Sequence, residues 1–202
     1  RAQMNPHFIF NSLNSINNFI LKNETEEASD FLVKFSRLVR QVLNNSNHKM
    51  VSLTDELKAL KLYIELEQMR FENRFGYSIE VPYDADPDRI LLPPLILQPY
   101  VENAIWHGLM HNDSKGRIDI RIEPKGEKIE FRVHDNGIGR EKAATFKSKY
   151  DSKGKSLGMG ITGDRIRLMK DLYNLEAESK VTDLYDNDGT PAGTLVVITI
   201  PL

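Results

Sequence analysis

The 202-residue chain has no cysteine, which excludes a disulfide framework, a thiolate metal site and a cysteine nucleophile. It also lacks any run near the roughly 18 apolar residues that cross a bilayer. Charge of one sign is missing too: 27 Lys and Arg oppose 29 Asp and Glu, a net charge of -2. That balance removes any general electrostatic reason to bind nucleic acid or an anionic membrane. The chain begins at Arg1, inside a helical pattern and without a signal-peptide layout, so it is expected to be a fragment of a longer protein. What remains is an ordinary globular composition, 40% apolar and 28% charged, long enough to bury one large core or two small ones.

Residues 1–70 lack strand-like alternation. Phe8, Ile9, Leu13, Ile16 and Ile20 fall at helical spacing. Asn23-Glu24-Thr25-Glu26 then offers a helix cap. After it, Phe31, Leu32, Phe35, Leu38, Val39, Val42 and Leu43 form a continuous apolar stripe. Two helices joined by a short turn cannot bury both stripes alone, so a dimer that forms a four-helix bundle is expected. Ser52-Leu53-Thr54-Asp55 starts a third helix with Leu53, Leu57, Leu60 and Ile64 on one face.

The pattern changes near Gly76, and the boundary is expected between residues 68 and 78, dividing the chain into 1–72 and 73–202. Tyr77, Ile79 and Val81 alternate, as do Ile118, Ile120 and Ile122, and then Ile129, Phe131 and Val133. Pro124-Lys125-Gly126-Glu127 reads as a hairpin connection, and Asp186-Asn187-Asp188-Gly189 as a turn before a last strand, Leu195 to Ile200. Helices first and strands with helices after them predict an α+β fold.

Three segments carry candidate chemistry. Leu95 to Leu109 reads as a helix entered through Pro93 and Pro94. It holds Asn103 and His107 four residues apart, with Glu102 beside them, amid apolar neighbours. Such a polar group suits Mg²⁺ and phosphates, because Mg²⁺ takes oxygen ligands and usually only one or two from protein. Asp135-Asn136-Gly137-Ile138-Gly139 follows a strand; it is either a common turn or a carboxylate set to accept from an amino group. Ser156-Leu157-Gly158-Met159-Gly160 precedes a helical pattern from Asp164 to Tyr173, and reads as a linker or a phosphate-binding helix start. Arg140 to Lys155, between the two glycine segments, suits a mobile lid.

In this order the three segments resemble the Bergerat-type ATP-binding fold shared by histidine kinases, gyrase, Hsp90 and MutL. The amino end narrows the resemblance. Gln3-Met4-Asn5-Pro6-His7-Phe8-Ile9-Phe10-Asn11 is similar to the histidine box of LytS-type sensor histidine kinases. Tyr63-Ile64-Glu65-Leu66-Glu67-Gln68-Met69-Arg70-Phe71 and Leu97-Gln98-Pro99-Tyr100-Val101-Glu102-Asn103 match the same family. One departure is that the glycine segment lacks the family's closing Asn, whose place Ile161 or Gly163 takes.

The resemblance implies a helical hairpin that dimerises, followed by an α/β sandwich with a mixed sheet covered by helices on one face. It implies ATP and Mg²⁺ as cofactors, with Asn103 on the metal, His107 on phosphate and Asp135 on the adenine amino group. Gly137, Gly139 and Thr194 would line the adenine side, and Gly158 and Gly160 the phosphate side. His7 would accept the γ-phosphoryl group, with Asn11 one turn on, and would pass it to the receiver domain of a response regulator. The setting implied is the cytoplasmic part of a bacterial inner-membrane sensor. Two alternatives stay open: a hydrolytic ATPase using Glu102, and a non-catalytic signalling scaffold of the same fold.

Overall fold

The computed structural model describes residues 5–83, 85–110, 115–140, 142–143 and 176–202. In chain order its elements are α1 (Pro6–Leu21), α2 (Thr25–Ser46), β1 (Val51–Ser52), α3 (Leu53–Arg70), β2 (Phe75–Glu80) and β3 (Leu91–Leu92). There follow α4 (Gln98–Asn103), a π-helical turn (Ala104–Leu109), β4 (Gly116–Lys125), β5 (Lys128–Asp135), β6 (Glu178–Tyr185) and β7 (Pro191–Pro201). They form two compact units, one running to Arg74 and including Asp86–Gln98, the other made of Phe75–Ala85 and the chain from Pro99.

The first unit is helical. The Asn5 side chain accepts the His7 N–H at 3.0 Å and so caps α1, while Pro6 sits in the first turn, where its missing donor costs nothing. Within the chain only Phe8, Ser12 and Ser15 of α1 are buried, and Ile9, Leu13 and Ile20 are exposed, as apolar stripes that two helices cannot cover alone require. Phe8 packs on Tyr63 and Phe35, with ring centroids 5.0 Å and 6.2 Å away. The two serines can occupy that face because their hydroxyls donate back to the carbonyls of Phe8 and Asn11.

The stripe of α2 splits as well. Phe31, Leu38 and Val42 are buried, whereas Leu32 and Leu43 are 49% and 60% exposed. A stripe this wide outreaches the two helices available to cover it. The expected cap at Asn23 is also corrected: Asn23 is a turn residue with φ +61, and Glu24 precedes the helix without a side-chain bond. Ser52 caps α3 as expected, its hydroxyl accepting the Asp55 N–H at 3.2 Å.

Helix α3 buries Leu53, Leu57, Leu60 and Ile64, and among them a carboxylate, Glu56, only 1% exposed. Its two oxygens accept the backbone N–H groups of Leu95 at 2.8 Å and Leu97 at 3.1 Å. That grip corrects the expected helix start. Pro93 and Pro94 carry no N–H, Leu95 is left-handed at φ +59, and the helix begins only at Gln98. β1 and β3 pair antiparallel beside this segment.

The second unit is built on a five-stranded mixed sheet of order β2-β4-β5-β7-β6. β2 runs parallel to β4, and the remaining neighbours are antiparallel. The alternation of Ile118, Ile120, Ile122 and of Ile129, Phe131, Val133 puts all six side chains in one core. Gly126, at φ +64, and Glu127 close the hairpin between them. Helices first and a mixed sheet after them make the α+β class expected from the sequence. β7 starts at Pro191, four residues before the expected Leu195, and β6 was not anticipated.

Replacing Glu56 by Ala leaves the amides of Leu95 and Leu97 buried without an acceptor. Urea unfolding should show a loss of about 2–4 kcal/mol for Glu56→Ala and a smaller loss for Glu56→Gln. A loss below about 1 kcal/mol for the alanine variant would show that Glu56 does not hold this segment.

Candidate functional site

The site begins at the end of β5. Asp135 is the last residue of that strand, not part of the turn after it. In the sheet register it pairs with Thr194 of β7, and Thr194 pairs in turn with Asp183 of β6. Residues paired across strands share a face, so Asp135, Thr194 and Asp183 form one row across the sheet. Asp135 and Thr194 are 3% and 8% exposed.

Backbone encloses the carboxylate. The Gly137 N–H donates to Asp135 Oδ1 at 2.9 Å. A side chain at Gly137 would overlap the Gly108 backbone, and a Cβ at Gly108 would stand 2.7 Å from Asp135 Oδ1. Gly193, at φ +132, leaves room for the Asp135 carbonyl that any Cβ would strike. The Ile138 N–H donates to the Gly108 carbonyl at 3.1 Å, tying the loop to the helical turn. Burial pushes the Asp135 carboxyl up to about 7; the backbone N–H groups of Gly137 and Thr194 oppose the shift, and Asp183 adds to it.

Asn136 faces away from this cradle. Its side chain accepts the Arg117 N–H at 2.6 Å and donates to the Lys115 carbonyl at 3.3 Å, which locks the loop to the start of β4. Gly139 is left-handed, at φ +74. Directly after it, Arg140 makes a two-point ion pair with Asp183, at 2.8 Å and 2.6 Å. The Arg140 guanidinium holds the Asp183 carboxyl below its usual range.

Glu102 and Asn103 end α4, and His107 lies in the π-helical turn; all three are half-buried. The Met110 N–H reaches back five residues to the Ile105 carbonyl at 3.0 Å. The step from Asn103 to His107 therefore crosses a wider turn than the α-helical spacing assumed, and π-turns of this kind recur at functional sites. This turn packs against β4, β5 and β7, the strands that frame Asp135.

In the helical unit, His7 and Asn11 stand one turn apart on α1, both near its start. The Asn11 side-chain nitrogen lies 3.0 Å from His7 Nδ1 and 3.1 Å from Nε2. It can donate to whichever ring nitrogen lacks a proton. The sequence puts Asn11 one turn from this imidazole, and the structure brings the two side chains within hydrogen-bond distance.

The structure thus brings Asp135, Gly137 and Thr194 into one cradle and sets Gly139 at its margin. Glu102, Asn103 and His107 share one helical element, and His7 and Asn11 share α1. Gln3, Gly158 and Gly160, most of the expected lid and the helix expected from Asp164 lie outside the described residues. Gly108, Gly193, Asp183 and Arg140 were missed. Gly108 had a signal, since glycine inside a helix costs about 1 kcal/mol against alanine and asks for a packing reason. Asp183 and Arg140 had none, being 43 residues apart.

The donor set fits a nucleotide: a buried acceptor enclosed by backbone suits an exocyclic amino group. For a metal the fit is narrower. Among the described residues no cluster of three or more His, Cys, Asp or Glu could hold one.

Residues 1–75 match the family model described as histidine kinase. Residues 92–202 match that described as histidine kinase-, DNA gyrase B-, and HSP90-like ATPase. The chain is 35% identical over 139 residues to the sensor protein LytS of Staphylococcus haemolyticus, covering 69% of this chain and 23% of that protein. It is 32% identical over 166 residues to the sensor histidine kinase BtsS of Escherichia coli K12, covering 82% and 28%. The chain therefore spans about a quarter of the length of these curated relatives. A solved structure of the mycobacterial sensor histidine kinase MprB superposes with a TM-score of 0.51 at 18% identity, covering 76% of this chain and 97% of that one. At that identity the likeness shows the fold.

Two outcomes test the cradle. Gly137→Ala forces two backbones apart and should cost about 1–3 kcal/mol in urea unfolding, whereas Gly76→Ala, with open space around its Cβ, should change stability by less than about 1 kcal/mol. The second concerns pH. The folded-state value of Asp135 lies above the ordinary 3.8, so the folded chain holds a proton that the unfolded chain has released. Its contribution is fully present below 3.8 and is lost as pH rises through about 7. Unfolding free energies across that window should fall more steeply for the wild type than for Asp135→Asn; parallel curves would disprove the shift.

Proposed function

This chain belongs to the histidine kinase family and carries its ATPase-type domain, and from that premise we propose that it is the core of a two-component sensor kinase. ATP is the substrate, His7 the phosphoacceptor, and an aspartate of a response-regulator receiver domain the next acceptor. Residues 1–72 serve dimerisation and phosphotransfer, and residues 73–202 bind the nucleotide. The observation that carries this reading is the Asp135 cradle.

In it, the carboxylate accepts from the adenine amino group, and Thr194 lies beside it in the same row. Gly137 and Gly139 let the base approach the backbone. Asn103 would hold Mg²⁺ and His107 would contact phosphate, and the family likeness assigns phosphate contacts to Gly158 and Gly160 as well. When bound, Mg²⁺ supplies neutralisation of charge on the phosphates.

The chemistry at His7 is a displacement at phosphorus. The unprotonated ring nitrogen supplies the electron pair, the bond from nitrogen to phosphorus forms as the bond to ADP breaks, and the other ring nitrogen keeps its proton. Asn11, within 3.1 Å of both ring nitrogens, restrains the ring and is also placed to orient water against the phosphorylated form. Glu102, in the same helix as Asn103, is the group that would activate water in a hydrolytic ATPase; free phosphate without an acid-labile phosphoprotein would favour that reading.

The partners follow from what the helices leave uncovered. Ile9, Phe10, Leu13, Ile20 and Leu21 of α1, with Leu32, Val33 and Leu43 of α2, are exposed apolar side chains. Pairing with a second copy would bury them in a four-helix bundle. No helix among the described residues is long and apolar enough to cross a membrane.

Incubation with ATP labelled at the γ-position should give an acid-labile, base-stable phosphoprotein. His7→Gln should abolish that label, by at least 100-fold, while nucleotide binding persists. Label that survives on the mutant would overturn the assignment of His7.

A further inference from the structure

A groove of about 430 Å³ lies along the seam between α2 and α3. Arg37 and Arg40 reach it from α2, and Lys58 and Lys61 from α3. Facing flanks of a packed helix pair ordinarily carry opposite charges, because like charges there repel at close range. One turn earlier this seam follows that pattern: Lys34 stands 3.1 Å from Asp30 and 3.7 Å from Glu65 of α3. At the groove both flanks turn cationic.

Compensation within the chain is thin. Lys58 has Asp55 at 3.3 Å on its own helix. Glu65, the single acid lining the groove, is engaged by Lys34. Arg37, Arg40 and Lys61 make no ion pair among the described residues. The chain as a whole carries a net charge of -2, so the cluster is not the by-product of a basic protein. Cations gathered on both flanks of a groove raise its potential and favour an anion bound between the helices.

We propose that this groove is a docking site for an acidic segment of a partner protein. Its shape favours a peptide over a single phosphate. From Arg37 to Asn44, α2 advances about 10 Å, which presents its cations in series to several carboxylates. Gln41 and Asn44 add amides that both donate and accept, as a peptide backbone requires, and Leu62 gives the groove an aliphatic wall. The site lies wholly on the helical unit and stands independently of the kinase assignment.

The test uses the 202-residue chain and a fluorescein-labelled peptide of five Glu-Ala repeats, followed by fluorescence anisotropy. The wild type should bind it with an affinity that falls as salt is raised. Arg37→Glu combined with Arg40→Glu should weaken binding at least tenfold. The same variant should melt at a higher temperature, because glutamates facing Lys58 and Lys61 replace repulsion with attraction. Lys125→Glu with Lys128→Glu, at the hairpin of the other unit, should leave peptide affinity within twofold. Equal peptide affinity in wild type and groove variant would overturn the proposal. So would displacement of the peptide by inorganic triphosphate, or by vesicles containing phosphatidylserine, at equal concentrations of charge. Label uptake from ATP, measured alongside, should be unchanged in the groove variant; its absence even in the wild type would count against the kinase reading alone.

Discussion

Everything at the candidate nucleotide site depends on how closely three backbone segments pack around Asp135. The turn at Gly108, the loop at Gly137 and the strand at Gly193 each come so near that a Cβ would strike a neighbour. This packing removes water from the carboxylate, and burial then raises its proton affinity. One geometric constraint therefore sets the shape of the cradle and the charge state of its acceptor. A partner that donates a hydrogen bond relieves the cost of burial, which is why such a cradle suits an amino group.

A second buried carboxylate does comparable work for the chain path. Glu56 on α3 takes the two amide donors of a segment that begins with two prolines, and the helix bearing Glu102 and Asn103 starts only after that segment ends. Both carboxylates satisfy backbone N–H groups that regular structure leaves over. Their settings differ: Glu56 takes both amides of one connecting segment, whereas Asp135, held by the N–H groups of Gly137 and Thr194, stands in a row that continues through Thr194 to Asp183.

The clearest signals in the sequence came from elements with one buried face and one wet face. β4 and β5 announced themselves because apolar residues alternate with polar ones, and half-buried strands impose that period. Edge strand β6 did not, since nearly every position on it is exposed and nothing selects an alternating pattern. On α1 the apolar spacing marks more side chains suited to burial than one chain covers: Phe8 packs on Tyr63 and Phe19 on Phe31, while Ile9, Leu13 and Ile20 stay exposed. The glycines divided likewise. Gly137 and Gly139 stood in a recognisable Asp-x-Gly-x-Gly run, whereas Gly193 drew notice only as the neighbour of Thr194, and its tight contact is with a residue 58 positions earlier.

By itself, the sequence determined the family, the α+β class, and the residue types that stand in each box, because local period and motif spacing are properties of neighbours along the chain. Tertiary structure alone decided that Asp135, Thr194 and Asp183 form a row, that Gly108 closes over the carboxylate, and that four cations meet between α2 and α3. Those facts depend on register and helix packing, which bring together residues separated by tens of positions. No local pattern encodes such meetings. They arise when several elements bury their apolar faces at once, and the polar groups then lie wherever that packing carries them.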